Sequence, residues 1–257
     1  MAHDGRYRIE DIDDDDKVVY FDPFQIKKIT GTRLAPVLGK GEFQTPFSVA
    51  LDLAGIYRED TKTKYIDAGN ILEPVLRSHL KNNIPSLMSS LGLSNGSKVI
   101  IEEPVHGDMC GYDHFHNEKV FGGLVDGYVM VDGKRNSILE IKTSGDREKW
   151  QDVNGDYSNV AEQYMLQASL YAELSNLDTI VFLVGFLEDA DYDRPKLWTP
   201  NEDNTRIIVK KKLDMTSYMK ESEEWYKKYM KNGQTPEWTD ADKDVVKYLK
   251  AYKPGKR

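Results

Sequence analysis

The sequence predicts an α/β fold, a central mixed β-sheet flanked by helices, and three observations predict it. Strand-like segments crowd the middle of the chain, an amphipathic helix follows them, and a strongly apolar strand follows that helix directly. A helix that joins a meander to a further central strand lets that strand enter the sheet in parallel. With 257 residues the chain is long enough for one substantial domain, which we place over 18–233, followed by a C-terminal tail over 234–257.

Each element has its own signal. Residues 1–17 hold a run of four aspartates and little apolar content, so they read as a cleavable linker or a disordered tail and are left outside the fold. Thr45-Pro46 reads as an N-cap followed by a proline in the first helical position, and Phe47, Ala50, Leu51 and Ala54 then recur at helical spacing up to Gly55. A second helix is predicted over Ile66 to Lys81, with Leu72, Val75, Leu76 and Leu80 on its buried side and Glu73 beside that stripe. Val99 to Ile101, Val120 to Val131 and Ser137 to Thr143 read as strands, the last two joined by a turn at Asp132-Gly133. Val160, Tyr164, Gln167, Tyr171 and Leu174 define an amphipathic helix over Asn159 to Asn176, and Thr179 to Phe186 is the apolar strand. Arg206 to Val209 gives one more strand, Met215 to Asn232 a closing helix, and Asp240 to Ala251 a short last helix.

Bulk properties exclude several functions. The longest apolar run, Thr179 to Leu187, is far shorter than the ~18 residues a membrane span needs, so no membrane association is expected. The single cysteine, Cys110, excludes an internal disulfide and any multi-cysteine metal or iron–sulphur site, and a reducing, cytoplasmic setting fits. Net charge is −8, and half of it comes from residues 1–17, where seven acids face three bases. The mildly acidic remainder is compatible with a local knot of carboxylates that holds cations.

The most informative segment is Gly123-Leu124-Val125-Asp126-Gly127, then the turn, then Leu139-Glu140-Ile141-Lys142-Thr143. Strand alternation puts Glu140 and Lys142 on one face, with Leu139, Ile141 and Thr143 on the other. If the hairpin pairs as drawn, Asp126 sits beside Glu140, and two carboxylates within reach of one point suit a hard divalent cation. A lysine beside them can position or activate a water for attack on phosphorus. The competing reading is a solvent-facing ion pair on an edge strand, the usual fate of charged strand residues.

With these residues the chain resembles the PD-(D/E)XK nucleases, whose fold is the restriction-endonuclease-like sandwich, and more narrowly the lambda-exonuclease-like, YqaJ-type viral recombinases. The resemblance runs over about Phe21 to Lys231. It rests on Ile29-Thr30-Gly31-Thr32 with Pro46-Phe47 downstream, on Gly69-Asn70-Ile71-Leu72-Glu73-Pro74, on Val125-Asp126-Gly127 with Glu140-Ile141-Lys142, and on Gln163-Tyr164-Met165-Leu166-Gln167, in the family's order.

The resemblance implies that Asp126, Glu140, the Ile141 carbonyl and Glu73 hold Mg²⁺, with Mn²⁺ able to substitute, that Lys142 is the catalytic lysine, and that Gln167 is the active-site glutamine. It implies that Thr30, Thr32 and Arg33, with Lys27 or Lys28, grip a terminal 5′ phosphate, although Gln25 and Leu124 stand where some relatives carry an arginine and a small hydroxyl residue. The implied activity is exonucleolytic resection of linear double-stranded DNA, 5′ to 3′, by a homotrimer that hands its product to a single-strand annealing protein. Two alternatives share the fold: an endonuclease of the restriction or junction-resolving kind, and a catalytically silent DNA-binding module. The loop with His106, Asp108, Cys110, Asp113, His114 and His116 fits no zinc spacing and reads as a loop. Lys210-Lys211-Lys212 reads as a charged strand edge, and Trp225, Tyr226 and Tyr229 as helix packing.

Overall fold

The computed structural model describes residues 9–58, 63–103 and 113–251. In chain order its elements are β1 (Ile9–Asp13), β2 (Val18–Phe21), β3 (Ile29–Thr30), α1 (Gly31–Val37), α2 (Pro46–Leu53), α3 (Lys64–Asn82), α4 (Ile84–Ser90), β4 (Val99–Glu102), β5 (Phe121–Gly122), β6 (Gly127–Val131), β7 (Lys134–Ser144), α5 (Glu162–Leu174), β8 (Thr179–Phe186), α6 (Asp189–Asp193), β9 (Thr205–Lys211), α7 (Thr216–Trp225) and α8 (Lys243–Ala251). They fall into two compact units that interleave along the chain. One takes Met1–Asp60, Phe115–Gly123 and Met215–Arg257, and the other Thr61–His114 and Leu124–Asp214.

The second unit is built on a five-stranded sheet in the order β4-β6-β7-β8-β9. Only the β7–β8 pair is parallel, and α5 supplies the connection between its strands. The mixed sheet flanked by helices is the fold class that the sequence predicts. On one face the α3 stripe of Leu72, Leu76 and Leu80 packs against Val129, Leu139, Ile141, Val181 and Leu183 in a continuous core. Val75, expected on that buried side, is instead exposed, because the apolar stripe of α3 is narrower than its sequence spacing suggests. The β6–β7 hairpin turns at Asp132 and Gly133, both with positive φ (49° and 80°), as a two-residue turn that matches strand twist requires. Thr63 caps α3 by accepting a bond from the Ile66 N–H, so the helix starts earlier than its apolar periodicity shows.

The first unit departs most from the sequence reading. Residues from Ile9 are not left out of the fold: β1 pairs antiparallel with β2. The aspartates form the turn between them, where the Asp13 carboxylate accepts from the Asp15 and Asp16 N–H groups and Lys17 takes a left-handed conformation. On its other side β2 meets the segment after α7, through Phe21 N–H to the Gly233 carbonyl, Thr235 N–H to Val19 and Trp238 N–H to Lys17. The stretch read as one strand, Val120 to Val131, is two. Phe121–Gly122 pairs in parallel with Ile29–Thr30, and the chain breaks at Gly123, whose φ of 139° side-chain-bearing residues avoid. Thr45 caps α2 as expected, exchanging bonds with Ser48, while α7 ends sooner than predicted and continues as one π-helical turn, Tyr226–Met230. Helices α1, α4 and α6 have no counterpart in the sequence reading.

Candidate active site

The site grows from the β6–β7 ladder of the second unit. The Gly127↔Leu139 register sets Asp126 opposite Glu140 just before β6 begins. Close approach here depends on glycine, since a Cβ at Gly127 would lie 3.2 Å from both the Glu102 carbonyl and a Leu139 methyl. The Asp126 carboxylate crosses to β7 and accepts a hydrogen bond from the Ile141 N–H at 2.7 Å. Ile141 therefore anchors Asp126 through its backbone while its side chain sits in the α3-facing core.

Alternation along β7 sends Glu140 and Lys142 to the face opposite Leu139 and Ile141, as expected, and there they meet α5. Glu140 has no exposed surface. One of its carboxylate oxygens, Oε2, is 2.9 Å from Lys142 Nζ and accepts from Gln167 Nε2 at 3.1 Å. Lys142 also donates to Gln167 Oε1 at 3.4 Å, so the three side chains close a ring, and the Tyr164 ring, stacked on Trp150, lies 5.2 Å from the ammonium. Gln167 thus spends both ends on Glu140 and Lys142. The other oxygen of Glu140, Oε1, is buried with no hydrogen-bond partner.

Glu73 projects from α3, where Arg77 one turn later donates to it. Arg77 is nearly buried and reaches two further acceptors, the Asp126 carbonyl at 3.0 Å and the Glu103 carboxylate at 3.0 Å. Sequence reasoning missed both Arg77 and Glu103. The i,i+4 spacing of Glu73 and Arg77 was a signal, but nothing in the sequence shows that the loop after β4 brings Glu103 to the same guanidinium.

Three carboxylates, from Glu73, Asp126 and Glu140, thus share a region with two cations, Arg77 and Lys142. Burial pushes the Glu140 carboxyl up to about 7, with Asp126 and Glu73 adding to the shift and Lys142 opposing it. Glu73 is raised too, by burial first and then by Asp126. For Lys142, burial alone would lower the ammonium, but the charges of Glu140 and Asp126 outweigh it and raise it. The residues fit a divalent ion: they are hard oxygen donors with excess negative charge, and one buried carboxylate oxygen still lacks a partner. Among the described residues no three metal-binding side chains already converge as a closed cage. Asp126 is engaged by Ile141 and Glu73 by Arg77.

The residues expected to hold a terminal phosphate all belong to the first unit. Thr30 closes β3 and precedes α1, and its hydroxyl lies 3.1 Å from that of Thr32. Arg33 and Lys27 converge on the buried Asp52, at 2.8 and 3.0 Å, and Lys28 donates to the Phe115 carbonyl. Asp52 was not singled out from sequence, although an aspartate in the apolar run Val49-Ala50-Leu51-Asp52-Leu53 is a signal of buried pairing. Burial would raise its carboxyl, but Arg33 and Lys27 hold it below the usual range.

Of the histidine-rich loop, His106, Asp108 and Cys110 lie outside the described residues, and His114 accepts from the Val125 N–H through Nδ1. Lys212 of the lysine run pairs with Glu173 and with Asp178. No helix among the described residues is long and apolar enough to cross a membrane.

The model of the YqaJ-like viral recombinase domain matches residues 21–178, more than half of the chain and all of the site above. The chain belongs to the YqaJ-like viral recombinase family. Two curated proteins are similar along nearly their whole length: the uncharacterised protein MG373 of Mycoplasma genitalium, 26% identical and covered over 87% of each chain, and its Mycoplasma pneumoniae homologue, 25% identical over 94% of this chain and 96% of the relative. Among solved structures, the alkaline exonuclease LHK-Exo of Laribacter hongkongensis has a similar fold. Its TM-score is 0.52 at 15% identity, over 89% of this chain and 96% of that one, and its dAMP complex gives 0.53 at 16% identity, over 90% and 97%. The family resemblance read from the four motifs is therefore confirmed.

Proposed function

We propose that this YqaJ-like protein is a divalent-metal-dependent exodeoxyribonuclease that resects linear double-stranded DNA, 5′ to 3′, and supplies single-stranded tails for annealing recombination. The observation that carries the reading is Glu140, a fully buried carboxylate on a central strand with one oxygen unpartnered, and with Asp126 and Lys142 beside it. Glu73, Asp126, Glu140 and the Ile141 carbonyl would hold Mg²⁺, for which Mn²⁺ can substitute. When bound, the ion acts as a Lewis acid toward the phosphodiester and makes a nucleophile available near neutral pH.

The chain's own residues supply the rest. In the hydrolysis a water oxygen forms a bond to phosphorus, the ester P–O bond breaks, and the departing oxygen takes up a proton. Lys142 spends two of its three N–H donors on Glu140 and Gln167, which leaves one for the attacking water or a phosphate oxygen. Gln167 holds Glu140 and Lys142 in one orientation, so the ammonium needs no reorganisation as charge builds on phosphorus. Thr30, Thr32 and Arg33, with Lys27 and Lys28, are the proposed grip on the 5′ phosphate. Asp52 engages both Arg33 and Lys27 but carries one negative charge against their two positive ones, so the cluster keeps net positive charge for a phosphate beside the hydroxyls and backbone N–H groups. A homotrimer and an annealing partner, implied by the resemblance alone, are part of the proposal and are checked by light scattering and by co-purification.

Digestion of linear duplexes with and without a 5′ phosphate, beside covalently closed circles, in Mg²⁺ or EDTA, tests the reading. Linear DNA should be degraded only with metal, and circles should survive. Cleavage of circles would establish the endonuclease alternative, and undiminished digestion in EDTA would remove the metal-dependent mechanism.

A further inference from the structure

We propose that Arg77 is a positioning residue for the nuclease site, which holds the Glu73 side chain and the backbone at Asp126 together so that both acids meet one divalent cation. The inference rests on the nuclease reading and adds to it a residue that touches neither DNA nor metal. An ordinary i,i+4 ion pair on a helix surface joins two residues of that helix and contributes a few tenths of a kcal/mol. Arg77 does more. Its side chain is about nine-tenths buried, and it donates Nε–H to the Asp126 carbonyl at 3.0 Å, one terminal nitrogen to Glu73 and the other to Glu103 at 3.0 Å. One planar guanidinium therefore ties α3 to the residue that precedes β6 and to the loop that follows β4.

Asp126 is consequently fixed at two points on opposite sides of its Cα. Its carbonyl is held by Arg77, and its carboxylate by the Ile141 N–H. The guanidinium reaches the three acceptors from three separate nitrogens held in one rigid plane, a spacing that the compact ammonium of a lysine on its flexible stem does not reproduce. Glu73 and Glu103 share the one guanidinium charge, and Lys81 adds a second cation beside Glu103 near the surface. Residues behind metal ligands that fix their orientation typically change metal affinity about 10–100-fold when altered.

The test uses the full chain with Arg77→Lys and Arg77→Met. Mn²⁺ binding is followed by calorimetry, and the Mg²⁺ dependence of linear-duplex digestion is measured in parallel, with circular dichroism to verify folding. Half-saturating metal should rise about 10-fold or more in both variants, while the digestion rate at saturating Mg²⁺ falls much less, a split that general loss of structure would not produce. Half-saturating metal within twofold of wild type in a folded variant overturns the proposal alone. Wild-type protein that binds no Mn²⁺ overturns the nuclease reading and the proposal with it. Should neither variant fold, the unaltered protein still decides: with ¹⁵N-labelled arginine, a slowly exchanging Nε–H resonance that shifts on addition of Mg²⁺ is expected, and its absence overturns the proposal.

Discussion

Glu140 makes a quantitative link between pH, metal and folding. Its carboxyl is pushed up to about 7 from an ordinary 4.5, by burial first, then by Asp126 and Glu73, with Lys142 in opposition. An acid raised in the folded state holds its proton more tightly there than in the unfolded chain. Its contribution to stability is fully present below about 4.5 and is lost as pH rises through about 7. The interval corresponds to about 3 kcal/mol, undiminished by solvent because the group is fully buried. A divalent ion at the site reverses the loss above the folded value, since it favours the charged form: at a concentration about 100 times its dissociation constant it returns about 2.7 kcal/mol. For a protein of this size that is a midpoint shift of roughly 5–10 °C. The assay is thermal unfolding of wild type and Glu140→Gln at about pH 5 and about pH 8, with and without Mg²⁺, the variant serving to subtract every other titrating group. Wild type without metal should lose stability relative to the variant between the two pH values, and Mg²⁺ should restore it only at the higher one. A wild-type-minus-variant difference that is flat with pH, or an equal Mg²⁺ shift in both proteins, would refute the reasoning.

Three further outcomes follow from the geometry. Lys142→Ala should lower DNA digestion by about 10²–10³, equivalent to about 3–4 kcal/mol of barrier, with its unfolding midpoint retained well enough to assay the folded protein; single-turnover digestion at saturating Mg²⁺ measures it, and wild-type turnover would exclude the lysine from the chemistry. Asp52→Asn leaves Arg33 and Lys27 without their buried counter-charge and should cost about 3 kcal/mol or more at neutral pH by urea unfolding. The wild-type carboxylate contributes stability above its unfolded value and loses it as pH falls through the depressed folded one, so the two proteins should converge in acid; a constant difference at all pH values would contradict that. Gly127→Ala forces a methyl within 3.2 Å of the Glu102 carbonyl and Leu139, and should cost about 1–3 kcal/mol with loss of activity; a fully active, equally stable variant would show that the β4–β6–β7 approach is looser than described.

How much of this was legible in the sequence depended on whether a residue's role was set by near neighbours or by distant ones. The β6–β7 hairpin and the α3 stripe are periodic, so Asp126, Glu140, Lys142 and Glu73 could be placed on their elements and mostly on the correct faces; α5 is not the one-faced helix expected, since Leu166 to Ala172 are buried without a break, although Gln167 does face inward. The Phe121–Gly122 strand could not be separated from β6, because the break depends on the backbone angle at Gly123, and because its partner, Ile29–Thr30, lies about ninety residues earlier in the chain. Strand β1 was hidden for another reason. Four aspartates signal solvation when counted, yet one of them, Asp13, serves as the acceptor that closes a tight turn. Asp52 and Arg77 were overlooked as members of ordinary helices, since the partners that give them meaning arrive from segments no local pattern connects.

The decision between a structural ion pair and a cation site turns on what happens to each carboxylate oxygen. An ion pair on an edge strand would lie in solvent, where water satisfies whatever the lysine does not, and would contribute ~0–1 kcal/mol. Strand β7 is not at an edge: it runs between β6 and β8, and Glu140 is sealed beneath α5. A purely structural acid in that position should have both oxygens bonded, because an unmet buried acceptor costs about 1–3 kcal/mol, and more when it is charged. Here Lys142 and Gln167 crowd on to Oε2 while Oε1 is left bare, and two further carboxylates raise the repulsion. Such an arrangement reduces stability wherever the acid is ionised, and a cation bound as proposed above would supply the missing interaction. The same reasoning suits Gln167, not a second base, to closing the ring: a neutral amide can donate to Glu140 and accept from Lys142 at once, and it adds no positive charge to compete with the proposed ion.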